Sequence, residues 1–186
     1  MIDTHTLFFI GHLFGIAMGA GGAFMSDLMF FSSIRDRIIS RTELHFMRIG
    51  SMMVWAGIVV LVITGTGLFL ADPDVFLASS KFLTKITIVA VIIINGFVFH
   101  IWHIPRLHRH ADMHFPSSDE FMRRRPWLLG SGVVSMVSWM FAIILGALRS
   151  IPYSYTTAMM FYIVVVILGV STAYIIRNRL LPHHKN

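Results

Sequence analysis

Cysteine is absent from the 186-residue chain, which excludes disulfides, thiolate-held clusters and a cysteine nucleophile. Any metal must then sit on His, Met, Lys or carboxylate groups. Charge is almost as scarce. Asp, Glu, Lys and Arg make up 13% of the residues against 56% apolar ones, and the mean hydropathy is +0.75, far from an ordinary soluble domain. A basic region ahead of the first apolar run (MIDTHTLFF) is also missing, so that run reads as a retained helix and not as a cleaved leader. No nucleotide or flavin motif and no internal repeat is visible.

What is there is membrane-spanning sequence. Five apolar runs, at 7–31, 44–70, 82–104, 127–148 and 155–176, each reach the ~20 helical residues that cross the hydrocarbon core. The expected fold is all-α: a polytopic transmembrane bundle of about five helices, one domain over residues 1–186. The basic residues segregate as the positive-inside rule requires. Arg35, Arg37, Arg41 and Arg48 flank the first connection, Arg106, Arg109 and Arg123 to Arg125 the third, and Arg177, Arg179 and Lys185 the tail. The other side keeps Lys81, Lys85 and Arg149 beside Asp72 and Asp74. This places the N-terminus outside and the C-terminus in the cytoplasm of a bacterial inner (plasma) membrane, crossed several times. The net charge of +6 therefore points to lipid headgroups as partner and not to nucleic acid. Segment 105–126 is expected as a cytoplasmic loop, with prolines ending the helices on both sides.

Ionisable side chains at membrane depth are costly and mark functional sites by default. His12 falls about 10 Å outward of the middle of the first run, and Lys85 enters from the outside to nearly the same level, so the two can share an outer site. His100 and His103 end the third run, and His45 opens the second from the same side; these three can form an inner site. On a straight helix Lys81, Lys85, Ile92, Gly96 and His103 share a face, with His100 about 60° from Lys85. Imidazole suits axial ligation of haem iron, the way membrane cytochromes hold haem between helices. A lysine suits a propionate as a charged donor. Lys85 and His100 are about 22 Å apart at helical rise, so the arrangement is either two sites or one site plus a charged anchor. The competing reading is that terminal His and Lys side chains only snorkel to the interface.

Other features read more plainly. His108, His110 and His114 (HRHADMH) match no closed metal site. The thirteen methionines invite copper(I), yet Met18, Met25 and Met29 recur at helical spacing, as packing residues do. Gly11, Gly15, Gly19 and Ala23 form a small-residue stripe that admits a neighbouring backbone or a flat ligand. Asp27 is suited either to relaying protons or to pairing with Arg35 or Arg48.

Three segments, IGHLFGIAMGAGG with its histidine, RIGSMMVWAGIVVLVITGTGLFL after a basic connection, and KFLTKITIVAVIIINGFVFHIWHIPRL, resemble the HemJ-type protoporphyrinogen oxidase and CopD-type copper-resistance families of small membrane proteins. The resemblance covers residues 5–107. It implies His12 and His100 as haem-iron ligands, Lys85 as the helix-three lysine and candidate catalytic group, haem b as cofactor and a porphyrin as substrate. The fifth helix and the His-rich loop depart from the pattern.

Two functions of different class follow, beside a third reading as a structural subunit or assembly factor whose histidines are incidental. One is a haem-b membrane protein acting in electron transfer or as an oxidoreductase on a porphyrin-like, quinone-like or other hydrophobic substrate, with His12, His100, His103, His45 and Lys81 around the cofactor and a redox partner or a second copy completing it. The other is transport of, or resistance to, copper or another metal ion. Lysines beside His12 count against the latter, since positive charge repels cations at an entrance.

Overall fold

The computed structural model describes residues 3–35, 40–103, 105 and 119–175. They form six α-helices: α1 (Thr4–Arg35), α2 (Arg41–Ala71), α3 (Pro73–Leu77), α4 (Ser80–Val98), α5 (Asp119–Ala147) and α6 (Tyr155–Ile175). All but α3 are long and apolar enough to cross a bilayer, and no strand occurs among the described residues. The chain is a multi-pass helical membrane protein. Large apolar side chains such as Leu7, Phe14, Val59, Ile94 and Phe161 face outward, as lipid-facing surface does.

Helix starts follow local chemistry. The Asp3 carboxylate accepts the Thr6 N–H at 2.6 Å. Ser40 and Glu43 form a reciprocal capping box, with the Glu43 N–H on Ser40 Oγ at 3.2 Å and the Ser40 N–H on Glu43 Oε2 at 2.8 Å. Each bond satisfies an amide that lacks a partner in the first turn.

The spans agree with the hydropathy reading to within a few residues, with three differences. Pro73 opens a short extra helix, α3, in the second connection. Pro126 opens the fourth span but does not end a helix there, since it lies inside α5, so the last part of the polar 105–126 segment is helical. Membrane helices tolerate an internal proline where neighbours satisfy the freed carbonyl. Finally, α4 ends in a π-helical turn, Phe99–His103.

α1 and α2 form the tightest pair. A Cβ at Gly57 would lie 2.5 Å from the Gly19 amide nitrogen and 2.7 Å from the Gly15 carbonyl, and one at Gly22 would lie 2.6 Å from the Gly50 carbonyl. The small-residue stripe of α1 is thus a helix-packing face. A Cβ at Gly19 would also collide with the Trp139 ring, which brings α5 onto the same pair. The core gathers Ala20, Ile58, Leu61, Ile88, Ile92, Trp139 and Tyr162.

Polar clasps tie the remaining helices together. Asn95 and Ser131 join α4 to α5 by two bonds, of 2.9 and 3.1 Å. Ser138 Oγ lies 2.8 Å from the Tyr162 hydroxyl, between α5 and α6, and Lys81 donates to the Leu148 and Arg149 carbonyls just past the end of α5.

Candidate functional site

Among the described residues, two chambers share a wall along the bundle, apart from a cavity of about 300 Å³ between α5 and α6. The larger, about 400 Å³, is bounded by His12 and Ile16 of α1, Ile58, Leu61 and Gly65 of α2, Lys85, Val89 and Ile92 of α4, and Trp139 and Ala142 of α5. Its volume is in the range of small-molecule sites. The structure brings His12 and Lys85 to this one chamber. His12 is five residues from the middle of its span and Lys85 six, each toward the N-terminal end of its helix, so both lie about 8 Å from the midplane at helical rise.

The orientation of His12 follows from its partner. Thr64 Oγ1 donates its single hydrogen to the Val60 carbonyl at 2.6 Å. The same oxygen lies 3.0 Å from His12 Nδ1, so it can only accept there, and Nδ1 must carry the proton. Nε2 is left with its lone pair. A ring nitrogen held by a second residue while the other stays free is the usual preparation of a metal-ligating or base-acting histidine.

Lys85 forms no hydrogen bond or ion pair among the described residues. An ammonium at this depth is favourable only with an anion or water beside it. The chamber therefore combines apolar walls, one neutral acceptor nitrogen and one uncompensated cation. Lys81 does not line it. Its ammonium holds the carbonyls that follow α5, though its charge still reaches Lys85.

The second chamber is smaller, about 50 Å³, and more polar. Ser26 and Asp27 of α1, Ser51 of α2, Asn95 of α4, and Ser131 and Ser135 of α5 contribute to it. Ile92 and Trp139 line both chambers and stand between them at about the midplane.

His100 is exposed, with Nδ1 3.2 Å from Ser51 Oγ. His45 is also exposed, six residues before Ser51 on α2, and the His103 side chain lies outside the described residues. No group of three His, Asp or Glu residues is close enough to hold a metal ion among the described residues. The face projected on a straight helix holds from Lys85 through Ile92 to Gly96, all of which line a chamber. Beyond Val98 the wider π turn shifts the register, and the projection of His103 no longer applies. His12 and His100 touch α2 at Thr64 and Ser51, thirteen residues or about 20 Å apart, too far to share one ion. His108, His110 and His114 lie outside the described residues.

Thr64, Ser51, Asn95, Ser131 and Trp139 were not singled out by the sequence reading. A signal was present for the first four: isolated hydroxyl and amide residues within apolar spans commonly bond across helices. Compared with protein-family models, with curated proteins and with solved structures, the chain matches none.

Proposed function

We propose that the outer chamber binds a flat, largely apolar molecule bearing a carboxylate, haem b above all, and that the protein works in electron transfer or as an oxidoreductase on a hydrophobic substrate entering from the lipid. One observation carries the reading: a histidine with its tautomer fixed by Thr64 and an unpaired lysine share one apolar chamber.

This donor set fits a haem. His12 offers Nε2 to iron, Lys85 offers a charged donor to a propionate, and Ile58, Leu61 and Val89 offer apolar contact. The same set fits a porphyrin substrate, with His12 as acceptor for a pyrrole N–H. When bound, haem would supply one-electron chemistry. The residues of this chain position the ring, balance its carboxylate and exclude water. Electrons would pass to a quinone, to oxygen or to a partner protein. His100 remains a candidate ligand for a separate group, which a second copy or a partner would complete.

The test is a visible spectrum of the detergent-purified protein, oxidised and with dithionite. The expected result is a Soret band with sharp reduced α and β bands. These should disappear in His12→Ala, while Lys85→Met should retain the His12-dependent bands but bind haem more weakly. A colourless preparation carrying stoichiometric copper overturns the reading in favour of metal transport.

A further inference from the structure

The inner chamber contains a carboxyl group that the proposed ligand site does not use. Asp27 is 8% exposed, and its Oδ2 is, among the described residues, the one buried side-chain nitrogen or oxygen without a hydrogen-bond partner. The donors of Ser26, Ser131 and Asn95 beside it bond elsewhere. Ser26 donates to the Met47 carbonyl, the Ser131 hydroxyl donates to Asn95 Oδ1, and Asn95 Nδ2 donates to the Ser131 carbonyl.

The charges around the chamber are equally distinctive. Among the described residues, the lining positions supplied by α2, α4 and α5 are uncharged, and Asp27 is the one titratable residue in the wall. Arg48, one turn before Ser51 on α2, is exposed. Lys85 and His12 stand beyond Ile92 and Trp139 in the outer chamber. The titratable group connected to the wall is His100, through Ser51. An ionised carboxylate removed from water without a partner is costly, so the group is stable as the neutral acid or with a cation delivered to it. The chamber is large enough for delivery: a water needs roughly 10–15 Å³, against about 50 Å³ here.

We infer that Asp27 is a proton-exchange site of the bundle, loaded from the end that carries His100 by way of Ser51 and closed toward the outer chamber by Ile92 and Trp139. Loading breaks an O–H bond of a hydronium at the His100 end and forms the carboxyl O–H, leaving water and a neutral acid; in passing the proton on, the Ser51 hydroxyl gives up its own hydrogen and takes another. The site would let charge arriving near the cytoplasmic half be balanced by a proton, whatever the outer chamber binds, so it stands or falls independently of the ligand proposed there.

Infrared difference spectroscopy of the protein in lipid vesicles, across a pH step, tests the assignment without any ligand. The expected spectrum contains a protonated-carboxyl C=O band that gives way to carboxylate bands as the pH rises, shifts in D2O and is lost in Asp27→Asn. Asp27→Glu should keep such a band at a shifted frequency, which covers the case in which the Asn variant does not fold. Ser51→Ala should keep the band but slow its exchange with D2O. A wild-type spectrum without an Asp27-dependent band overturns the inference. So does a band that responds to sodium at constant pH and not to pH, which would make the chamber a sodium site, or a Ser51→Ala exchange rate equal to that of the wild type.

Discussion

Thr64 decides what His12 can do. A free histidine divides its proton between two nitrogens, but a hydroxyl that has spent its hydrogen on the Val60 carbonyl accepts from only one of them. Thr64→Val keeps the shape and removes the acceptor. Haem titration of the reconstituted protein should show affinity reduced roughly 10–100-fold, the usual cost of losing a residue that orients a ligand, and Thr64→Ser should restore most of it. Equal affinity in the Val and wild-type proteins would mean that Nδ1, or no nitrogen of His12, meets the ligand. Lys85 acts differently. It has charge without a partner, so it selects for anionic ligands and not for a particular geometry.

The helices are positioned by how closely their backbones approach. At Gly57 an added methyl group would meet backbone atoms of Gly15 and Gly19, which cannot rotate away as a side chain can. Gly57→Ala should therefore separate α1 from α2 and cost about 1–3 kcal/mol, as overpacking typically does. Unfolding in mixed detergent and SDS would measure it. Gly21, on α1, has nothing within 4 Å of its would-be Cβ, and Gly21→Ala should not lower the unfolding midpoint. Because His12 is carried by α1 and Thr64 by α2, the same separation should also weaken the bond that sets the tautomer. The π turn of α4 has a comparable local effect, since its wider turn changes the angle per residue after Val98.

At the scale of the whole molecule, the Asp27 chamber and the His12–Lys85 chamber lie along the bundle with a tryptophan and an isoleucine between them. Their assignment to outer and inner sides rests on the distribution of Arg and Lys among the connections. Because the chain has no cysteine, a single introduced one reports its side unambiguously. Asp74→Cys should react with a membrane-impermeant maleimide in intact cells, and Thr42→Cys only after lysis. Both positions are exposed. The opposite labelling would invert the bundle and turn the Asp27 chamber outward.

The all-α, five-span architecture was legible in the sequence, because spanning a bilayer demands about 20 apolar residues in a row and leaves an unmistakable run. The common level of His12 and Lys85 was legible too, since helical rise converts position within a span into depth. Their meeting was a matter of rotation and packing, which depth does not determine. Thr64, Trp139 and the Asn95–Ser131 clasp acquire their roles only from neighbours far away in sequence: an isolated polar residue in an apolar run signals a bond across helices but not its partner, and a tryptophan there looks like ordinary filler. Pro126 inside α5 and the π turn after Val98 likewise override local rules, proline as a helix end and a constant angle per residue. Length and composition therefore determined how many helices cross the membrane, while contacts between helices decided which of the buried polar groups share a chamber.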